Sequence, residues 1–331
     1  MNNFTYHVPE SPLEAANQKT SDRHAQFIAG GTNLVDRLKV FLDKPSQLID
    51  ISKLDLQTIE TMADGSLRLG ALVTNTAVAD NQDIRRHYPM LARAILSGAS
   101  QQIRNMATVG GNLLQRTRCP YYYDTAFPCN KREPETDCPA IEGMNRNHAI
   151  LGSSDHCVAV HPSDMCVALA ALDAEVEVIS PQGTRQIAFL DFHRLPGNRP
   201  EKDSNLEQGE LITGVKIPDT SKNSSGVYLK IRDRASYSFA LVSVAASVSL
   251  EGEKIEGVRL ALGGVAHKPW RATETEEFLI GKSLEENTLT QAAEIALQDA
   301  KPLSQNHFKV ELAKRAIIRA LKVSAQGGGV V

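Results

Sequence analysis

The 331-residue sequence has no run of the roughly 18 continuous apolar residues that a membrane span needs; its longest, Phe239 to Leu250, is short and broken by serines. It has no basic excess either. Lys and Arg number 36 against 39 Asp and Glu, a formal charge of -3, so neither a nucleic-acid nor a membrane-surface partner is expected. The N-terminus lacks a basic stretch followed by an apolar core, so no secretory signal is read there. HExxH, GxSxG, GxGxxG and GxxxxGK[ST] are all missing, and no carboxylates pair convincingly. The chain is short of groups that make or break covalent bonds, and a cofactor would carry that work.

What is present is enough for about two domains with sizeable cores: 42% hydrophobic and 23% charged residues. Ser11-Pro12-Leu13-Glu14 predicts a capped helix start. A strand through Gln26, Phe27 and Ile28 then enters Ala29-Gly30-Gly31-Thr32-Asn33-Leu34, and a helix follows. Gln47 to Ile51 predicts a neighbouring strand. Leu67, Leu69 and Ala71 alternate as a half-buried strand does, and helices are predicted over 76–86 and 89–96. A second glycine turn, Thr108-Val109-Gly110-Gly111-Asn112, precedes residues 116–157, which show neither period. A capped helix over 163–172 and strands over 175–180 and 184–189 come next, then a polar surface loop over 191–209. Past Leu211 the pattern is strand-rich to Gly263, and helices end the chain over 272–280, 290–298 and 307–322. Lys230, Arg232 and Arg234 alternate on a predicted strand, giving either a solvated basic face or a lysine aimed at an electron-rich ring.

Each glycine pair permits positive φ and close backbone approach, so several N–H groups can converge on an anion. Two such turns together suit the two phosphates of a dinucleotide. Four of the five cysteines, Cys119, Cys129, Cys138 and Cys157, are spaced C-x9-C-x8-C-x18-C. Disulfides, a structural zinc and an iron–sulfur cluster all remain open from that spacing. His148 and His156 lie in the same loop as spare ligands. Cys166 sits on an apolar helix and reads as a buried, inert thiol.

The two glycine motifs, with Ser163-Asp164, Lys230-x-x-x-Arg234 and Leu262-Gly263-Gly264-Val265-Ala266, resemble the FAD-binding medium subunit of molybdenum hydroxylases, the xanthine dehydrogenase family, from about residue 3 to 323. The resemblance implies an α+β chain: a two-subdomain FAD-binding domain of the vanillyl-alcohol oxidase/molybdenum hydroxylase type over 1–218, split 1–55 and 56–218. An α+β domain with a small antiparallel sheet and helices would follow over 219–324, and a flexible tail over 325–331. It implies FAD held by Gln26, Phe27, Ile28, Ala29, Gly30, Gly31, Thr32, Asn33 and Leu34, and by Thr108, Gly110, Gly111 and Asn112. Asp164 would be a further contact, Ile212 would lie near the flavin, and Lys230 would approach the isoalloxazine. A subset, including 4-hydroxybenzoyl-CoA reductase and the nearer bacterial periplasmic aldehyde oxidoreductase, carries a [4Fe-4S] cluster in an inserted loop. By that likeness residues of about 116–158 are the insertion and Cys119, Cys129, Cys138 and Cys157 the ligands.

The implied role is electron transfer within a molybdenum-containing aldehyde oxidoreductase. The expected partners are a molybdopterin-binding large subunit and a small subunit with two [2Fe-2S] clusters, together a heterotrimer. A standalone FAD-dependent oxidoreductase and a zinc-stabilised, non-catalytic assembly module are the alternatives. The resemblance implies the periplasm, reached by export with a signal-bearing partner, with the cytoplasm as the alternative compartment.

Overall fold

The computed structural model describes residues 1–221 and 226–327. Ser11 caps the first helix, Pro12–Ser21: its Oγ accepts the Glu14 N–H at 3.2 Å, while the Glu14 carboxylate reaches back to the Glu10 N–H at 2.7 Å. The strand Gln47–Asp50 lies centrally and parallel between Thr5–His7 and Gln26–Ile28. Thr5–His7 was not predicted, because three residues are too few to show a period.

A second sheet, antiparallel throughout, orders its strands Ile59–Thr61, Leu67–Gly70, Leu211–Ile217, Glu175–Ser180 and Gly183–Ala188. The predicted helix over 76–86 is two helices, Asn75–Asp80 and Gln82–His87. Asn81 breaks it by turning extended and capping the second with its own Oδ1 on the Ile84 N–H (3.0 Å). The helix Asp164–Ala171 is buried at every residue, packed between this unit and the next sheet, which is why it is apolar all round.

The C-terminal sheet runs Trp270–Arg271, Lys254–Gly263, Val242–Glu251, Val227–Ile231, with helices Thr273–Leu279, Glu286–Ala296 and Phe308–Ala325 covering one face. The first of these strands to form in the chain stops at Ile231, so Lys230, Arg232 and Arg234 do not share a strand face as predicted; only Lys230 belongs to it. The tail predicted flexible from 325 differs too. Ala325 ends a helix, and Gln326 and Gly327 donate back to Lys322 and Ser324, while residues 328–331 lie outside the described residues.

The long cysteine-bearing segment has one helical turn, Pro120–Tyr123, and almost no core of its own. The C-terminal domain holds it down. The Asn306 amide donates to the carbonyls of His148 and Ala149 at 3.2 Å each, and the buried Lys309 ammonium donates to the His148 carbonyl at 2.8 Å. No helix among the described residues is long and apolar enough to cross a membrane.

Candidate functional site

The two glycine turns meet. A Cβ placed on Gly30 would lie 1.8 Å from the carbonyl oxygen of Met106, so only glycine lets the first turn press against the backbone leading into the second. Gly31 sits at φ +69°, which swings the chain from strand into the helix Leu34–Lys39. Among the described residues, the N–H groups of Gly31, Thr32 and Asn33 have no protein acceptor, and all three residues border a cavity. The second turn differs from the tight loop predicted. It is the opening of a short helix, Val109–Leu113, capped by Thr108, whose Oγ1 accepts the Gly111 N–H at 3.3 Å. Val109 and Gly110 donate to the carbonyls of Val73 and Ala71, so this turn spends its N–H groups on the fold. The free donors are therefore concentrated on the first turn.

Two cavities open on either side of the turns, of about 380 and 270 Å³, and share Thr32, Asn33 and Gly111 as their common wall. Every residue from Gln26 to Leu34 borders the smaller chamber, together with Thr108, Gly110 and Ile212. Asn112 and Asp164 border the larger one, whose wall also includes Arg234, Tyr237 and Phe239. Lys230 borders neither. Its ammonium donates to Asp164 Oδ2 at 2.8 Å and to the Ser97 carbonyl at 3.0 Å, while Tyr228 donates to the other Asp164 oxygen at 2.6 Å. Lys230, expected at the isoalloxazine, and Ile212, expected near the flavin, thus lie toward opposite chambers.

Sequence reasoning missed Lys19, Arg37 and Arg116, three cations around the smaller chamber. Arg37 follows Asn33 by one helical turn and donates to its Oδ1 at 3.3 Å, a spacing that carries a signal. Arg116 signals only by following the second motif; its backbone N–H donates to the same Asn33 oxygen at 3.0 Å.

Cys119, Cys129, Cys138 and Cys157 border one cavity of about 10 Å³, beside Tyr121 and Tyr122. All five cysteines are free thiols. Burial pushes the Cys119 thiol up to about 12 and Cys157 to about 11, against backbone N–H groups of Tyr122 and Tyr121 aimed at the first sulfur and of Ala159 at the second. Those amides favour a thiolate that burial otherwise forbids. His148 Nε2 lies 3.2 Å from Cys119 Sγ, whereas His156 is exposed. Cys166 is wholly buried, as predicted, with its thiol pushed to about 12 by burial.

Among the described residues, the one trio of His, Cys or acidic side chains with ligand atoms within 4.8 Å of one another is His161, Cys166 and His193. Its hydrogen bonds argue for a structural wall. His193 Nε2 donates to the Leu113 carbonyl at 2.8 Å, and His161 Nδ1 accepts the Ser163 N–H at 3.4 Å. That leaves an N–H on His161 Nε2 and a lone pair on His193 Nδ1, both without another partner, across rings 4.3 Å apart. In this tautomer His161 has no nitrogen lone pair left for a metal. The pair braces the glycine helix against the Asp164 helix.

Residues 2–220 match the family described as "FAD binding domain in molybdopterin dehydrogenase", and residues 227–323 the "CO dehydrogenase flavoprotein C-terminal domain". The chain is 48% identical to the aldehyde oxidoreductase FAD-binding subunit PaoB of Escherichia coli K12, over 97% of this chain and 98% of that one. It is 28% identical to the glyceraldehyde dehydrogenase medium chain of Sulfolobus acidocaldarius, over 97% and 96%. Among solved structures it is similar to quinoline 2-oxidoreductase from Pseudomonas putida 86, with a TM-score of 0.76, 27% identity and 98% of each chain covered.

Proposed function

This chain belongs to the family of FAD-binding domains in molybdopterin dehydrogenases and is the electron-transfer flavin subunit of such a complex, and from that premise we propose that the complex is a molybdenum-containing aldehyde oxidoreductase. The observation that carries the flavin site is the shared wall of the two chambers. There Gly30 brings both turns together and the N–H groups of Gly31, Thr32 and Asn33 stand free for a diphosphate. Bound FAD supplies an acceptor that takes electrons singly and releases them singly or in pairs.

The chamber walls divide the rest of the cofactor. Ile95, Ile103, Tyr237 and Phe239 give the larger chamber apolar and aromatic surface for the isoalloxazine, beside the Asp164 carboxylate. Gln26, Arg37 and Arg116 give the smaller chamber polar groups for the adenosine end. In this reading Lys230 acts on the ring side of the diphosphate, where it fixes the Asp164 carboxylate. Asn112 accepts the Ser163 hydroxyl on its Oδ1 at 2.5 Å and the Gln115 amide on the same oxygen at 2.9 Å, which fixes its side chain in the wall of the larger chamber.

The reading of the cysteine cavity as a [4Fe-4S] site is supported by all four sulfurs bordering one cavity and by backbone amides aimed at those of Cys119 and Cys157. Their backbone donors are the kind that tune cluster sulfurs. The partners in this reading are a molybdopterin-binding large subunit and a [2Fe-2S] small subunit in a heterotrimer, exported together to the periplasm.

Anaerobically purified protein should contain one FAD and about four iron and four acid-labile sulfide per chain. Cys138→Ser should lose most of the iron, and Cys166→Ser should keep it. Zinc in place of iron would remove the cluster. Well-folded protein with no flavin would overturn the whole reading.

A further inference from the structure

Cys119 differs from the other three clustered cysteines in its surroundings. All four border the small cysteine cavity, but Cys119 also borders a second cavity of about 130 Å³, together with His148, Ser163, Asp164 and Phe239. The last three residues also line the larger chamber, so Cys119 stands on that side of the insertion. His148 is 4% exposed, and its Nε2 lies 3.2 Å from the Cys119 sulfur. Among the described residues, no other side chain makes a hydrogen bond to any of the four sulfurs. The backbone that carries this ring is pinned from the C-terminal domain. Lys309 and Asn306, both wholly buried, donate to the His148 carbonyl at 2.8 and 3.2 Å, and Lys309 also donates to the Gly264 carbonyl at 2.5 Å. The ring is thus aimed at the sulfur by the C-terminal domain and not by the insertion's own scant core.

We propose that His148, aimed by Lys309 and Asn306, is a hydrogen-bond donor to the Cys119 ligand that raises the reduction potential of the cluster in the insertion. The inference rests on the cluster reading above. A free thiol can donate to an imidazole nitrogen, but a thiolate bound to iron can only accept. Ligation therefore selects the tautomer with the proton on Nε2, which donates to the sulfur. An N–H donor favours the more negative, reduced cluster over the oxidised one, because charge-assisted hydrogen bonds strengthen as the acceptor gains charge. The backbone amides of Tyr121 and Tyr122 already point at this sulfur, and His148 adds a side-chain donor from the second cavity. At 3.2 Å from Sγ the nitrogen is at hydrogen-bonding distance from the ligand itself, so the ring serves Cys119 and does not replace it.

The donor is tested on the full chain purified anaerobically with its partner subunits, with iron content and the cluster's midpoint potential, followed by EPR, measured for each form. Wild-type protein comes first. Wild type without iron refutes the cluster reading and the inference with it, whereas every later failure concerns His148 alone. His148→Leu should keep its iron and shift the balance of reduced to oxidised cluster about tenfold toward oxidised, a fall of about 59 mV for one electron. Glutamine can place an amide N–H where Nε2 stood, so His148→Gln should recover most of the potential. Asparagine reaches only the position of Nδ1, so His148→Asn should behave like His148→Leu. His156→Leu, at an exposed position of the same insertion, should match wild type. If His148→Leu loses its iron, the glutamine and asparagine variants decide. Equal potentials in those two overturn the donor, as does an unchanged potential in iron-replete His148→Leu or an equal fall in His156→Leu. Iron loss in all three His148 variants, matching Cys119→Ser, would make His148 a ligand and overturn it as well.

Discussion

Lys230 brings an ammonium to a place where its side chain is 4% exposed, opposite an Asp164 side chain that is 8% exposed. Removing one partner of such a pair strands the other charge, at a cost of about 3–5 kcal/mol. Lys230→Met should therefore lower the melting temperature and weaken FAD binding. It should also lower the flavin midpoint potential, because it removes a positive charge from the Asp164 side of the cleft, where the isoalloxazine is proposed to lie. An unchanged potential would place the ring in the other chamber and reverse the proposed orientation of the cofactor. The sequence makes Lys230 conspicuous through its basic neighbours, but not its partner. Asp164 is 66 residues away, and the helix that carries it reads from sequence as a cap followed by apolar core. Tyr228, the second donor to Asp164, stands two residues before Lys230 on the same strand and was passed over for the same reason.

The elements of the fold were more legible than their ends. Strands with clear alternation, such as Glu175–Ser180, and helices with a proline or serine start, such as Pro12–Ser21, stand close to where their patterns put them. Capping is local chemistry and shows in the sequence. What does not show is a backbone close approach, because both participants are needed to see it. Gly30 is recognisable as part of a turn, yet its contact with Met106 belongs to a segment 76 residues on. That contact makes Gly30→Ala a sharp test of how the two turns depend on each other. The added carbon would sit 1.8 Å from a carbonyl oxygen, well inside contact distance, and backbone cannot yield as a side-chain tip can. The variant should lose at least about 1–3 kcal/mol and bind FAD stoichiometrically no longer. Gly111→Ala is the milder comparison, since its carbon would meet only the Thr108 hydroxyl at 3.0 Å. Equal flavin retention in the two would show that the turns are held together by something other than this approach.

At the scale of the whole molecule, the joints between units are built with neutral histidines. Burial holds His193 at about 4 and His267 at about 4, and His161 well below its ordinary value. His193 ties the end of the glycine helix, through the Leu113 carbonyl, to the loop between the strands Gly183–Ala188 and Leu211–Ile217. His267 ties the C-terminal domain to Arg194 and to the insertion's Lys131. Each has a folded pKa below the value of about 6.5 for an unfolded histidine, so the unfolded chain binds more protons in between. Stability from these groups is fully present above about pH 6.5 and is lost as pH falls toward 4. Asp203 does not offset this, because Arg116 and Lys131 keep its carboxyl well below the usual range and it stays charged throughout. The melting temperature should thus fall steeply from pH 6.5 to 4.5, with FAD released in the same window, since the joints that loosen are those around the cleft. His193→Gln keeps a donor for the Leu113 carbonyl but cannot take up the proton, so it should be less stable at pH 7 and show a shallower decline in acid. A melting temperature flat across that interval would mean that these imidazoles accept protons without unlocking the joints.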